Sequence, residues 1–311
     1  NNARLMANII FMGTPDFAVP ALRALHTEFG VSAVVTVPDK PRGRGLQIVP
    51  SAVKVAAEEL GITDILQPVS LKENTFTTSI SERNPDIICV IAFRILPRAV
   101  YSLAQLGSFN VHASLLPEFR GAAPIHHAIL SGATETGVTS FLLNDVVDTG
   151  TILRQIHYTI PDGTTAGELY QELMPLAATC AVETCRDLIN GTARPTPQDD
   201  SRASLAPKVY REFGNINWRQ DRKTVRQHIL GYSPVPCAWT RWNDETVKMY
   251  RAEFSDATLA PGTWEVRDNT LLAGCQDGAL SITEIQLPGK PRRHTADVLR
   301  GYRGALHGEF L

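Results

Sequence analysis

At 311 residues the chain has length for two folding units, one with a sizeable core, although a single large domain is the alternative. Its composition, 43% hydrophobic and 20% charged, is ordinary for a globular protein, and the absence of any apolar run of bilayer length excludes a helical membrane protein. A formal charge of -2 carries no global signature of a nucleic-acid binder. The balance conceals a mild asymmetry, because residues from Lys208 onward hold 15 Lys and Arg against 12 Asp and Glu, or +3, leaving 15 against 20, or -5, before them.

Residues 1–7 lack an apolar h-region and do not begin with Met, so they read as a tag remnant or a processed end. The run 8–12, closed by Gly13-Thr14-Pro15 and followed by an amphipathic stretch over 16–27, predicts strand, turn and helix. The turn lacks the Gly-x-Gly-x-x-Gly spacing that lets backbone approach a pyrophosphate, which argues against a dinucleotide. The pattern recurs with strands over 31–37 and 87–92 and helices over 51–60 and 97–104. Continuously apolar, β-branched runs suit strands covered on both faces, so the first half is expected to be a Rossmann-like α/β domain with an open, mostly parallel sheet. Strands over 109–112 and 137–143 flank a helix over 124–130, and 152–160 is placed to form a hairpin with the second of them.

A long helical periodicity over 165–189 ends the first domain, assigned to 1–189. Residues 190–207, rich in Pro, Thr, Ser and Asp, are the linker candidate. Beyond it, a helix over 222–230 and short strand-like pieces separated by turn signals at 243–244, 261–262, 268–269, 277–278 and 288–289 predict a smaller C-terminal β-barrel of the oligonucleotide-binding kind over 208–311. Five scattered cysteines, Cys89, Cys180, Cys185, Cys237 and Cys275, without zinc spacing, fit a reduced cytoplasmic protein in which they pack.

Open α/β sheets bind ligands at the carboxyl ends of their strands, and residues 109–112 end one. Strand alternation points Asn110 and His112 to one face, where a carboxamide and an imidazole can hold a developing oxyanion. Asp148, at a turn between two predicted strands, could orient the imidazole, raise its pKa and help move a proton. On spacing alone a strand-end histidine is more often a satisfied structural group than a catalyst.

The longer strings are more specific. Phe109-Asn110-Val111-His112-Ala113-Ser114-Leu115-Leu116-Pro117, then Arg120-Gly121-Ala122-Ala123-Pro124-Ile125, then Asp148-Thr149-Gly150 resemble the signature of the folate-dependent formyltransferases. Met12-Gly13-Thr14-Pro15-Asp16-Phe17-Ala18-Val19-Pro20, Pro38-Asp39-Lys40-Pro41-Arg42-Gly43-Arg44-Gly45, Asn217-Trp218, Pro234-x-Pro236-x-Ala238-Trp239 and Asp277-Gly278-Ala279-Leu280 with Pro288-Gly289-Lys290 are similar to the branch of that superfamily acting on methionyl-tRNA, through nearly the whole chain. The resemblance implies 10-formyltetrahydrofolate as donor, consumed as a co-substrate without a metal, and charged initiator tRNA as acceptor. It makes Asn110, His112 and Asp148 catalytic, and sets the folate against Ser114, Leu115, Leu116 and Pro117, against Phe93, Arg94, Ile95 and Leu96, and against Asp145, Val146 and Val147. It assigns Lys40, Arg42 and Arg44 to the acceptor stem. Lys290, Arg292 and Arg293 form a second basic cluster suited to tRNA phosphates, with a solvated rim as the alternative.

Two departures stand out: Phe93-Arg94 where many members have Tyr-Gly, and Ala113 where Gly is common. Arg94 could reach the folate or fold back on an acidic neighbour. His126 and His127, adjacent on a helix, point apart and make a poor metal pair. Trp218 and Trp239 are expected in the core rather than on bases. The competing functions are formylation of a small amine such as glycinamide ribonucleotide or an amino sugar, hydrolysis of the formyl-folate, and non-catalytic binding of tRNA or folate.

Overall fold

A computed structural model describes residues 7–42, 47–242 and 245–310. The chain parts into two compact units, one of Asn1–Gly121, Thr136–Tyr158 and Tyr170–Leu205, the other of Ala122–Glu135, Thr159–Leu169 and Ala206–Leu311. Two short segments within the range read as the first domain, Ala122–Glu135 and Thr159–Leu169, therefore belong with the second unit.

In chain order the first half forms β1 (Ile9–Gly13), α1 (Val19–Glu28), β2 (Val31–Val35), β3 (Lys40–Arg42), β4 (Gln47–Val49), α2 (Ala52–Glu59), β5 (Ile65–Leu66), α3 (Asn74–Glu82), β6 (Ile87–Ile91), α4 (Arg98–Tyr101), β7 (Gly107–His112), α5 (Pro124–Leu130), β8 (Glu135–Leu142), β9 (Ile152–Thr159) and α6 (Ala166–Asn190). The main sheet has the order β5-β2-β1-β6-β7-β8-β9. Pairing is parallel from β5 to β7 and turns antiparallel at β8. Every residue of β1 and β6 is buried, as strands covered on both faces must be. Strand β9 lies beside β8, where the hairpin was expected. The helix α2 opens on Ser51, whose hydroxyl accepts from the Lys54 backbone N–H.

Among the elements with no counterpart in the sequence reading are α3 and the pair β3 and β4. The helix α3, Asn-Thr-Phe-Thr-Thr-Ser-Ile-Ser-Glu, is built from poor helix formers, and it is the burial of Phe76 and Ile80, four positions apart, that holds it. Among the described residues, β3 and β4 pair with each other and with no other strand. The segment 191–205 is also more ordered than a linker: Ile152 and Thr196 exchange two backbone hydrogen bonds of 2.8 Å, and the Arg120 N–H donates to the Ser204 carbonyl at 2.8 Å.

The second half adds α7 (Arg222–Tyr232), β10 (Ala238–Trp242), β11 (Glu245–Ser255), β12 (Thr263–Arg267), β13 (Thr270–Cys275), β14 (Gly278–Gln286), β15 (Arg293–His294), α8 (Thr295–Leu299) and β16 (His307–Glu309). Its strands form a curled antiparallel half-barrel, ordered β10-β11-β14-β13-β12-β16 with β15 on β14. Asp268 and Asn269 both have positive φ, 49° and 59°, which a two-residue hairpin turn of matching twist requires. The turn signal at 243–244 lies outside the described residues. Trp218, Trp242 and Trp264 sit in the core of this sheet, Trp218 stacked 4.7 Å from Phe310 with its indole N–H donating to Thr240. Half-buried Trp239 donates its indole N–H to the Arg211 carbonyl. All five cysteines are free thiols and buried.

Candidate active site

His112 is the last residue of β7, where the strand pairs with Thr139 of β8, and Asn110 lies two residues earlier on the same face. The imidazole Nε2 is 2.9 Å from the Phe119 carbonyl oxygen. A carbonyl can only accept, so Nε2 carries the hydrogen and Nδ1 is the nitrogen left for chemistry. Nδ1 faces Asp148, 3.9 Å from Oδ2, and both side chains are about nine-tenths buried, 9% and 11% exposed. That gap is too long for a hydrogen bond, so Nδ1 keeps its hydrogen-bonding capacity while lying beside a carboxylate. The Asn110 carboxamide makes no hydrogen bond among the described residues, so its N–H donors are available.

Asp148 occupies the left-handed region, φ 57°, in the turn between β8 and β9. Its Oδ2 accepts from the Gly121 N–H at 2.9 Å. Two residues on, a Cβ at Gly150 would fall 1.6 Å from the Leu142 carbonyl oxygen, so the Asp-Thr-Gly string is set by steric fit. Phe119, with φ 58°, is the partner that sequence reading missed, because nothing local marks a carbonyl that will hold a ring seven residues away.

The Ser114–Pro117 stretch is braced from beneath. The Thr139 hydroxyl donates to the Ser114 carbonyl at 2.7 Å and accepts from the Leu116 N–H at 3.0 Å, and the Gln155 amide donates to the Leu116 carbonyl at 2.9 Å. The Ser114 hydroxyl is fully buried and donates to the Glu118 carbonyl at 2.6 Å. Leu116 and Pro117 are buried and Leu115 is half-buried, so little side chain is offered to a ligand there and backbone is the larger part.

Arg94 does not fold back on an acidic neighbour among the described residues. Its guanidinium donates to the carbonyls of Val69 at 2.9 Å and Pro68 at 2.7 Å and lies 5.2 Å from the Phe93 ring centre. Partial burial lowers its pKa. Phe93 leans on the core beside β1 and β6, Leu96 is buried, and Ile95 is exposed. Across from them the Asp145 carboxylate accepts from Arg98 at 3.2 Å and from the Tyr101 hydroxyl at 2.5 Å, and this hydrogen bond raises the tyrosine's pKa. Val146 and Val147 beside it are exposed. The two loops thus join at Arg98–Asp145 and present Ile95, Val146 and Val147 to solvent.

Of the basic candidates, Lys40 is exposed on β3, while Arg44 and the side chain of Arg42 lie outside the described residues. Lys290 and Arg293 are exposed and make no ion pair among the described residues. Arg292 is engaged, paired with Glu284 and set 4.4 Å over the Tyr250 ring. His126 and His127 bond the separate carbonyls of Val235 and Pro207, at 3.0 and 2.9 Å.

Comparison with known proteins adds a second line. Residues 7–184 match the family described as formyl transferase, and 208–303 match the formyl transferase C-terminal domain. The methionyl-tRNA formyltransferase of Chlorobium luteolum is 41% identical over 304 residues, covering 95% of this chain and 96% of that protein. That of Macrococcus caseolyticus is 39% identical over 305 residues, with 97% and 98% covered. Among solved structures, the sugar 3N-formyltransferase WlaRD superposes with a TM-score of 0.68 at 18% identity, covering 92% of this chain and 99% of that one. HypX from Aquifex aeolicus in complex with tetrahydrofolic acid gives 0.64 at 20% identity over 94% of this chain, which spans 47% of HypX. At these identities the superpositions speak for the fold alone. Matched in both halves and over nearly its whole length, the chain belongs to the methionyl-tRNA formyltransferase family of folate-dependent enzymes.

Proposed function

We propose that the protein transfers the formyl group of 10-formyltetrahydrofolate to the α-amino group of methionine esterified to initiator tRNA, by direct attack of the amine. The observation that carries the chemistry is the geometry at the end of β7: an Asn110 carboxamide without a hydrogen bond among the described residues, two positions before an imidazole whose Nδ1 faces a carboxylate across 3.9 Å.

An α-amino group has a pKa of about 8, so much of it is neutral near physiological pH and needs little activation. As its nitrogen bonds to the formyl carbon, the carbonyl oxygen becomes an oxyanion. The Asn110 N–H donates to it, and Nδ1 of His112, at the moment it carries a proton, donates as well. Each such donor contributes about 3 to 4 kcal/mol in the transition state. The amine must then lose a proton and folate N10 must gain one as the C–N10 bond breaks. Asp148 and Nδ1 of His112 are the groups suited to carry it, because the Phe119 carbonyl occupies Nε2. No covalent enzyme intermediate is required, and the Ser114 hydroxyl is spent on a backbone carbonyl. Exposed Ile95, Val146 and Val147 and the backbone of Ser114–Pro117 suit a flat heteroaromatic ring with a polar edge. Lys40, Arg42 and Arg44, close together in sequence, and Lys290 and Arg293 with Arg292 beside them, suit tRNA phosphates.

A transfer assay comparing charged initiator and elongator tRNAs tests this reading. Transfer to the initiator alone is expected; transfer without discrimination removes initiator specificity, and formylation of a small amine at comparable kcat/KM with methionyl-tRNA inert overturns the acceptor.

A further inference from the structure

The segment that composition marks as a linker reaches both halves of the catalytic pair. The Gln198 amide nitrogen donates to the carbonyl oxygens of Asp148 at 2.9 Å and Gly150 at 2.8 Å, gripping the turn that carries the carboxylate. Its amide oxygen accepts twice from the Arg120 guanidinium, at 3.1 and 2.7 Å, and Arg120 also pairs with Asp200 at 2.6 Å. Six residues on, the Ser204 hydroxyl accepts from the Phe119 N–H at 2.9 Å, and its carbonyl accepts from the Arg120 N–H at 2.8 Å. Phe119 is the residue whose carbonyl holds His112 Nε2, and its φ of 58° is one that a phenylalanine rarely adopts without being held.

We propose that Gln198 and Ser204 are positioning residues of the active site, Gln198 setting Asp148 and Ser204 setting the Phe119 carbonyl that fixes the proton of His112 on Nε2. The Thr196–Leu205 stretch is then a strap over the site, locked by Arg120, in place of a passive tether. A linker needs no side-chain bonds to the domain it leaves. This one spends two side chains on the two residues that orient the acid-base pair, and a shift of an ångström between such groups is enough to slow proton transfer. This inference rests on the formyl-transfer reading for its kinetic test and has a second readout that does not.

In Gln198→Glu the side-chain size and the Arg120 partner are kept while both donations to the turn are lost, and in Gln198→Ala all are lost. Both variants are expected to lower kcat about 10- to 100-fold with KM for folate and for acceptor held within about threefold. Ser204→Ala should behave similarly and Ser204→Thr, which keeps the hydroxyl, should restore turnover. The melting temperature should stay close to that of the parent. Independently of any substrate, the imidazole ¹⁵N spectrum of His112 should report the Nε2–H tautomer in the parent and in Ser204→Thr, and a mixture of tautomers in Ser204→Ala. Unchanged kcat in all three losing variants, or a loss that follows a lowered melting temperature, overturns the proposal. So does an unaltered imidazole spectrum in Ser204→Ala. Should the parent transfer no formyl group to methionyl-tRNA, the functional reading fails by itself and the spectrum still decides on the strap.

Discussion

Two buried polar centres in this molecule are built on opposite plans. Arg226, on α7, has a side chain only 2% exposed and is fully committed: it meets Asp162 in two bonds of 2.7 and 3.0 Å, Glu253 at 2.9 Å and the Ala252 carbonyl at 3.1 Å. His112 and Asp148 are also buried, yet they face each other across 3.9 Å and leave Nδ1 uncommitted, and two positions earlier on β7 the Asn110 carboxamide makes no hydrogen bond among the described residues. A saturated charge ties chain segments together and has no capacity for a ligand. An under-bonded pair, costly in a finished fold, is the arrangement that can accept a transition state.

Substitution should separate the two plans. The largest effect is expected at the open pair: His112→Ala should lower kcat by about 10³- to 10⁴-fold, since it removes both an oxyanion donor and a proton carrier, with the melting temperature and folate affinity retained. Unchanged turnover in a single-turnover transfer assay would end the mechanism proposed. Asn110→Ala, which removes a donor only, should cost about 10²- to 10³-fold in kcat.

At the saturated centre the loss should fall on stability. Replacing both acids, Asp162→Asn with Glu253→Gln, leaves Arg226 buried without a counter-charge and should cost about 2 to 3 kcal/mol, less than for a fully enclosed pair because water reaches Asp162. Arg226→Met should cost less than the double variant, because its acids remain solvated, being 80% and 45% exposed. Denaturant melts that rank these two the other way would break the contrast.

Acid sharpens it further. The hydrogen bond from Arg226 holds the Asp162 carboxyl below its usual value of 3.8. A depressed folded-state pKa means that the native protein binds fewer protons than the unfolded chain in that range. The associated stability is therefore present above the ordinary carboxylate pKa and is lost as pH falls through the lowered one. Melts taken between about pH 5 and pH 2 should show a shallower acid loss in Asp162→Asn than in the parent. The smallest effect belongs to the surface, where Lys290 makes no ion pair among the described residues and Arg292 is neutralised by Glu284. Lys290→Ala should raise KM for tRNA a few-fold and reduce the slope of log affinity against log salt by about 1, with a smaller change for Arg292→Ala.

What the sequence determined by itself lies in short-range rules. Alternation along β7 sets Asn110 and His112 on one face, the Asp268-Asn269 pair dictates a hairpin, continuous apolar runs predict a sheet covered on both faces, and the strings around Asn110 and Asp148 point to the family. Tertiary structure decided whatever depends on a partner far along the chain. It formed α3 from residues with weak helical preference because Phe76 and Ile80 found a core, and it clipped Arg94 to carbonyls 25 and 26 residues away. It also turned Nδ1 of His112, rather than Nε2, towards Asp148, and laid a Pro- and Ser-rich segment against residues 50 to 85 positions earlier. Periodicity and turn chemistry act over a few residues, whereas a hydrogen bond is made wherever packing brings a donor to an acceptor, and local sequence carries no record of that meeting.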